Sequence, residues 1–316
     1  MRLTRLQIET YHRDGFLSLD GLFSATEVAA MRAELERIKK IDTDHLVREN
    51  GSNIAKTIYR VHEADGPTAS PVFHAVSRTA RMLEPAQDLL SEQQLYIHHT
   101  KCNLKTAIDG SVWAWHQDYG TWKRDGMPEA RPTTALVMLD EPTEMNGCLY
   151  FIPGSHKEGS LEPEFNDATG YKFYVTPKDK LLEIMTRSPE PVAITGKPGT
   201  VVFFDCNILH ASGHNLSQHN RWAIYVVYNP VTNQCRDVPN PRPDYVRSTN
   251  TKPLIKGSDH IFPLVSSKQE AQWAAAGFMD TLLRFEDETG GGLWEREGNL
   301  AGNSRLKQSS WSRSAV

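Results

Sequence analysis

Cysteine is scarce: the 316 residues hold four, Cys102, Cys148, Cys206 and Cys235. No two of them form a CxxC pair, so neither a zinc ribbon nor a disulfide framework is indicated, and a reduced, cytoplasmic setting is expected. Long hydrophobic runs are missing as well. No apolar stretch approaches the roughly 18–20 residues that span a bilayer, and the first residues, MRLTRLQIETYHRDG, contain no apolar signal core, so export is not expected. There is no excess of positive charge either. Thirty-five Lys and Arg stand against 39 Asp and Glu, giving a net charge of −4 and a pI near 6.3. That balance argues against a nucleic-acid or anionic-membrane partner and leaves a small molecule as the expected one. Internal repeats and a linker composition are absent too, and a single domain over residues 1–289 is the simplest division. From 290 to 316, Gly, Ser, Asn and charge dominate, which reads as a loose tail.

What is present is an ordinary globular composition, 39% hydrophobic and 23% charged, long enough to bury a sizeable core. Ser24 followed by Glu27 is a capping-box pattern, and Val28, Met31, Leu35 and Ile38 recur behind it at helical spacing. A second helical stretch is expected from about Val72 to Leu90, broken or ended near Pro85. A short helix over KDKLLEIMTR and a late one over residues 266–286 are also expected. Between them lie short β-branched or aromatic runs: LYIHHTKCNLK, TTALVMLD, CLYFIPGS, VAITG, TVVFFDCNILH and WAIYVVYNP. Asn146-Gly147, Pro153-Gly154 and Pro198-Gly199 punctuate them as turns. Many short strands at such spacing predict a mainly β fold, a sandwich or barrel with helices packed outside.

The stretch WAWHQDYGTW raises the functional question. On a strand, residues i and i+2 share a face, so His116 and Asp118 would project together while Gln117 faces away. Alone, the pair is equally a hairpin corner with two polar residues. The apolar run after Pro198-Gly199 ends at His210, and Arg221 opens the next strand eleven residues later, where a hairpin would return it beside His210. Singly, His210 reads as a satisfied strand-end histidine and Arg221 as a solvated flank. Together, two histidines and a carboxylate form the facial triad of non-haem Fe(II) oxygenases, with open positions left for further ligands. A 2-oxo acid and O₂ can fill those positions, and a guanidinium suits the far carboxylate of the 2-oxo acid.

With YIHHTKCNLK, WAWHQDYGTWKRDGMPEAR, EMNGCLYFIPGSH and PGTVVFFDCNILHAS in view, the chain resembles the phytanoyl-CoA dioxygenase superfamily of Fe(II)/2-oxoglutarate oxygenases from Arg5 to about Pro230. Within it the chain looks most like ectoine hydroxylases and related free-amino-acid hydroxylases. The resemblance implies a double-stranded β-helix, or jelly roll, with outer helices. It implies Fe(II), 2-oxoglutarate and O₂ as cofactor and co-substrates, and release of succinate and CO₂ as a small polar metabolite is hydroxylated. Carried over by position, His116, Asp118 and His210 match the iron ligands and Arg221 matches the anchor for the 2-oxoglutarate carboxylate. Ser212 matches a hydroxyl that assists that anchor, and Asn103 falls at a polar strand position near the co-substrate. The superfamily's halogenases lack the carboxylate ligand, so Asp118 favours hydroxylation or desaturation.

Trp122 corresponds to the aromatic that lies against substrate in ectoine hydroxylases, where an indole face suits a cationic or zwitterionic molecule; packing under a loop is the alternative. Where those enzymes carry Gln and Arg, this chain has His99 and Lys101, and an ammonium does not replace a bidentate guanidinium. The stretch KRDGMP is also one residue shorter. Both departures point away from ectoine itself and towards an amino acid or amino-acid derivative. Lys101 is then expected to meet a substrate or co-substrate carboxylate, and Arg131 is a second candidate, with a structural ion pair as its alternative. His98, His156, His214 and His219 read as loop or strand polar residues rather than ligands, and Phe204 and Trp113 as core or pocket lining. An acyl-CoA or natural-product substrate, a cupin-like metal hydrolase or isomerase, and a jelly-roll module that only binds metal are the rival readings. A monomer or homodimer is expected.

Overall fold

The computed structural model describes residues 1–49, 52–110, 112–166, 173–259 and Ile261. The expected late helix and the tail lie outside the described residues. The chain opens with α1 (Arg5–Asp14), β1 (Phe16–Leu19), α2 (Ala25–Ile38), β2 (Leu46–Arg48) and β3 (Ala55–Tyr59). Next come α3 (Pro71–Val76), α4 (Ala80–Leu90), β4 (Leu95–Lys105), β5 (Trp113–His116), α5 (Asp118–Trp122) and β6 (Thr133–Met138). Then follow β7 (Leu149–Phe151), β8 (Glu164–Asn166), β9 (Phe173–Val175), α6 (Lys178–Arg187) and β10 (Val192–Ile194). β11 (Val201–Asp205), β12 (His210–Ser212) and β13 (Arg221–Pro230) complete the set among the described residues.

The strands form a seven-stranded sheet in the order β1-β11-β6-β13-β4-β3-β2 and a four-stranded sheet in the order β10-β7-β12-β5; β8 and β9 make a separate hairpin. All pairings are antiparallel. The large sheet shows why the layers form. Along β13, Trp222, Ile224, Val226 and Tyr228 share a core with Val28, Met31, Leu35 and Ile38 of α2 and with Phe73 of α3. The alternate residues Ala223 and Tyr225 face the small sheet, where they pack with Leu136, Met138, Val202 and Phe204 and with Leu149 and Phe151. A period of two thus puts one face of the sheet on helices and the other into the space between the sheets. This two-sheet antiparallel roll with helices outside is the double-stranded β-helix.

The capping box holds: Ser24 N–H donates to Glu27 Oε2 at 2.8 Å and Glu27 N–H donates to Ser24 Oγ at 3.3 Å. The helical stretch from 72 to 90 is broken earlier than its proline suggests. α3 and α4 are separated at Ser77–Thr79, and Pro85 sits inside α4. The Pro85 ring costs the helix one N–H bond, yet the residue is buried beside Met82, Leu83 and Leu89, and packing there outweighs the lost bond. The Asn146-Gly147 and Pro198-Gly199 turns are real and sterically obligatory. Gly147 and Gly199 have φ of +74° and +92°, and a Cβ on Gly199 would lie 2.0 Å from the Phe23 carbonyl oxygen, which only glycine avoids.

Candidate metal centre and co-substrate cradle

Spacing alone predicts that His116 and Asp118 share a strand face. The strand instead ends at His116: Gln117 is the N-cap and Asp118 the first residue of α5. What turns the chain is Gln117, 4% exposed. Its Nε2 donates to the carbonyls of Gly159 (2.9 Å) and Asn207 (2.7 Å), and its Oε1 accepts from Leu161 N–H at 2.9 Å. Tyr119 N–H donates to the Cys206 carbonyl at 3.1 Å. Two of these four bonds fasten the start of α5 to residues 206–207, just ahead of His210.

The apolar run to His210 is likewise two elements rather than one. β11 ends at Asp205, and His210 begins β12 in the other sheet. There His210 pairs directly with His116 across the β5–β12 ladder, their ring centroids 4.1 Å apart. Each imidazole is pinned by the backbone of its own chain segment. His116 Nδ1 lies 2.7 Å from the Ala114 carbonyl, and His210 Nδ1 lies 3.0 Å from that of Ile208. A ring nitrogen that faces a carbonyl oxygen must carry the proton, so Nε2 is the lone-pair nitrogen in both. Both Nε2 atoms face the same Asp118 oxygen, at 3.8 and 3.9 Å, and donor atoms of all three residues lie within 4.8 Å of one another. Burial pushes both imidazoles below the ordinary histidine value; His116 is lowered further by His210, while Asp118 offsets part of the shift at His210. They are therefore neutral at pH 7.

The arrangement fits a metal ion. The Nε2–Oδ1 separations are too long for hydrogen bonds, so three donors converge without satisfying one another. Two neutral imidazoles and a carboxylate are the donor set of a non-haem Fe(II) facial triad.

The large sheet supplies positive charge opposite this cluster. Arg221 opens β13, which pairs with β4 and β6 and makes no hairpin with β12. Its register partner is Lys105. Arg221 is 2% exposed, its Nη1 is 3.4 Å from Tyr225 Oη, and its Nε has no partner. Among the described residues no carboxylate reaches it. Asn103 sits opposite Ala223 and accepts from Thr57 Oγ1 at 3.3 Å. Ser212 accepts from Lys105 Nζ at 2.9 Å, and Lys105 also donates to the Gly213 carbonyl. Burial, with Arg221 beside it, pushes Lys105 down to about 6. Lys105 escaped the sequence reading, although it continues the i, i+2 series of Lys101 and Asn103 and that period was the available signal.

Lys101 lies on the same face. Its Nζ is 4.7 Å from the Trp113 ring centroid and 5.2 Å from that of Tyr225; burial lowers its pKa, and Asp118 opposes that shift. His99 is brought close to Trp122, with ring centroids 6.0 Å apart. A β-bulge in β4 adds a neighbour: Val227 pairs with His99 but Tyr228 with Ile97, so His98 is the extra residue, and its ring also stands against Trp122, at 5.5 Å. Trp122 itself is 2% exposed and packs with Tyr119, Met127, Cys206 and Val227. Phe204 belongs to the core between the sheets and meets His210 at 5.4 Å. Arg131 is not brought into this group; its Nη1 donates to Thr232 Oγ1 at 3.3 Å in an exposed contact. His156 stays a structural residue, held against the His12 carbonyl at 3.1 Å.

A double-stranded β-helix with this triad and a buried cationic cradle defines a non-haem iron, 2-oxoglutarate-dependent dioxygenase. The model of the phytanoyl-CoA dioxygenase (PhyH) family matches residues 11–223, and the chain belongs to that family. It is 32% identical over 269 residues to the ectoine dioxygenase of Bordetella bronchiseptica, covering 81% of this chain and 85% of that one. Among solved structures it is similar to EctD from S. alaskensis with 2-oxoglutarate and 5-hydroxyectoine, at a TM-score of 0.70 and 32% identity over 82% of this chain and 89% of that one. The same enzyme with bound Fe gives a TM-score of 0.69 and 31% identity over the same shares. Among the described residues no helix is long and apolar enough to cross a membrane.

Proposed function

We propose that this chain hydroxylates an unactivated C–H bond of a small polar metabolite, an amino acid or amino-acid derivative, with release of succinate and CO₂. The observation that carries the reading is the convergence of His116, Asp118 and His210 within 4.8 Å, opposite a cradle of cations with few anions. His116 and His210 offer Nε2 and Asp118 offers its carboxylate to Fe(II). Bound there with 2-oxoglutarate and O₂, the iron supplies the oxidising power that splits the co-substrate into succinate and CO₂. The protein's own part is positional. Arg221 holds the distal carboxylate of 2-oxoglutarate through its fork of N–H donors, Ser212 and Asn103 border that carboxylate's site, and Lys101 offers an ammonium nearer to Asp118. Trp122 and His99 lie against the substrate. The buried walls keep water from competing for the oxidised site.

Ectoine itself is the second reading, favoured by the likeness to the ectoine dioxygenases; the His99 and Lys101 pair favours a different zwitterion. A screen of succinate release across free amino acids, ectoine and acyl-CoA esters separates these, and a dominant acyl-CoA response would overturn the small-metabolite reading. We place the enzyme in the cytoplasm, as a monomer or homodimer; four unpaired cysteines support the reducing compartment.

A further inference from the structure

Residues 234–250 lie beyond the family-matched segment and fold back across the bulged end of β4. The segment is stiffened by Pro239, Pro241 and Pro243. It is fastened at several points. Arg60 pairs with Asp244 at 3.0 Å. Tyr245 stacks on His45 at 5.0 Å and stands 6.3 Å from Tyr59. Arg242 grips Asp125 through two nitrogens, and Arg247 Nη1 donates to the Asp125 carbonyl at 2.9 Å. Ser248 N–H donates to the His98 carbonyl at 2.8 Å. Between these anchors the Val246 carbonyl meets His99 Nδ1 at 2.9 Å.

That last contact has a chemical consequence. A carbonyl oxygen only accepts, so His99 Nδ1 carries the proton and Nε2 is left as an acceptor. Burial, with His98, Lys101 and Arg242 nearby, holds the ring well below the ordinary histidine value against the Val246 bond that opposes the shift, so it stays neutral. Among the described residues no partner meets Nε2. Two residues along the same strand face stands Lys101, which has donors only.

We propose that the 243–248 turn is a specificity element: its Val246 carbonyl makes His99 an obligate acceptor, so the pocket selects substrates that present an N–H or O–H donor to His99 and an anionic group to Lys101. This rests on the reading that His99 faces the substrate. It deepens that reading to a class, a compact zwitterion with a protonated nitrogen that still carries hydrogen. A permethylated nitrogen keeps the charge and loses the donor. The site refuses it because a buried acceptor is left unpaired, about ten- to a hundred-fold in kcat/KM.

The first test needs neither iron nor substrate. Long-range ¹H–¹⁵N correlation on ¹⁵N-histidine-labelled, metal-free full-length protein, with the His99 signals assigned by their loss in His99→Gln, should show the Nδ1–H form from pH 6 to 8. An Nε2–H or doubly protonated ring overturns the proposal. The second compares L-proline with N,N-dimethyl-L-proline and each other amino acid active in the succinate screen with its permethylated form. The wild type should discriminate as stated, and His99→Leu should flatten the ratio. A ratio that survives in His99→Leu makes the exclusion steric and overturns the proposal. Asp244→Ala/Tyr245→Ala, which loosens the turn, should mix the tautomers and lower the ratio; an unmoved tautomer and ratio would assign the segment a purely structural role. If no compound releases succinate while the Nδ1–H form is present, the small-metabolite reading fails and takes the specificity role of the turn with it, while the tautomer assignment stands.

Discussion

Gln117→Ala tests how the triad is assembled. Gln117 is not among the proposed metal donors, and its two neighbours in sequence are. Removing its side chain deletes three hydrogen bonds, a buried one to Asn207 and part-buried ones to Gly159 and Leu161. At about 1 kcal/mol net per bond the loss is about 3 kcal/mol. For a chain of this size that lowers the melting temperature by about 5 °C. The same change frees the start of α5 from residue 207 and leaves the Tyr119–Cys206 backbone bond as its remaining tie, so Asp118 is held less firmly beside His210. Supporting residues of this kind are worth about ten- to a hundred-fold in metal affinity. The assay is differential scanning fluorimetry of metal-free protein, followed by anaerobic titration with Fe(II) in the presence of 2-oxoglutarate, reading the visible charge-transfer band. A variant that melts with the wild type and binds iron equally would refute the reasoning, because the turn would then hold itself. A variant that is destabilised but keeps full iron affinity would separate folding from triad geometry and refute the second half.

Asp118→Ala and His210→Ala should abolish the same band, since each removes a donor, while their melting temperatures without metal stay near wild type or rise as one of three mutually unsatisfied polar groups is removed. Arg221→Ala should leave iron binding intact and raise the 2-oxoglutarate requirement by about a hundred-fold, the worth of a charge-assisted pair; an unchanged requirement removes Arg221 from the anchor. Metal-free stability should fall as pH drops below about 6.5. His98, His99, His116 and His210 have folded pKa values depressed by burial, so the unfolded chain takes up the protons first and their contribution is complete only above the ordinary histidine value. Lys105, at about 6 when folded, acts in the same direction from its ordinary value down to about 6. Asp205, raised to about 6 by burial, opposes them between about pH 4 and 6. Urea midpoints at pH 5, 6, 7 and 8 check the sign, and a flat or inverted profile above pH 6 contradicts it.

Much of the site was legible in the residues because side-chain chemistry and short-range period are local properties. Spacing and donor chemistry point to His116, Asp118 and His210, whose donor atoms lie within 4.8 Å of one another, and Lys101 and Asn103 share a face as a period of two requires. The means of convergence was not legible. Asp118 reaches the centre from a helix and His210 from a strand of its own, because a single polar side chain, Gln117, reaches residues 42 and 90 positions away. Long-range hydrogen bonds of that kind leave no periodic trace. Nor does the bulge at His98, which aims two successive side chains at Trp122 against the rule of alternation. Arg131 drew attention through its charge alone, and its guanidinium ends on Thr232. The helix break at Ser77–Thr79 shows the reverse weighting, since a proline that reads as a stop is carried inside α4 by packing.

The division between the two sheets has a consequence for how such a protein can change. Every proposed metal donor belongs to the small sheet or to the helix leaving it, whereas His99, Lys101 and the turn that orients His99 belong to the large sheet and its C-terminal wrapping. An exchange at the latter positions alters which molecule is admitted while the oxidising apparatus stays in register. The proposed metal donors and the proposed acceptor–ammonium pair are thus mounted on separate walls of one room.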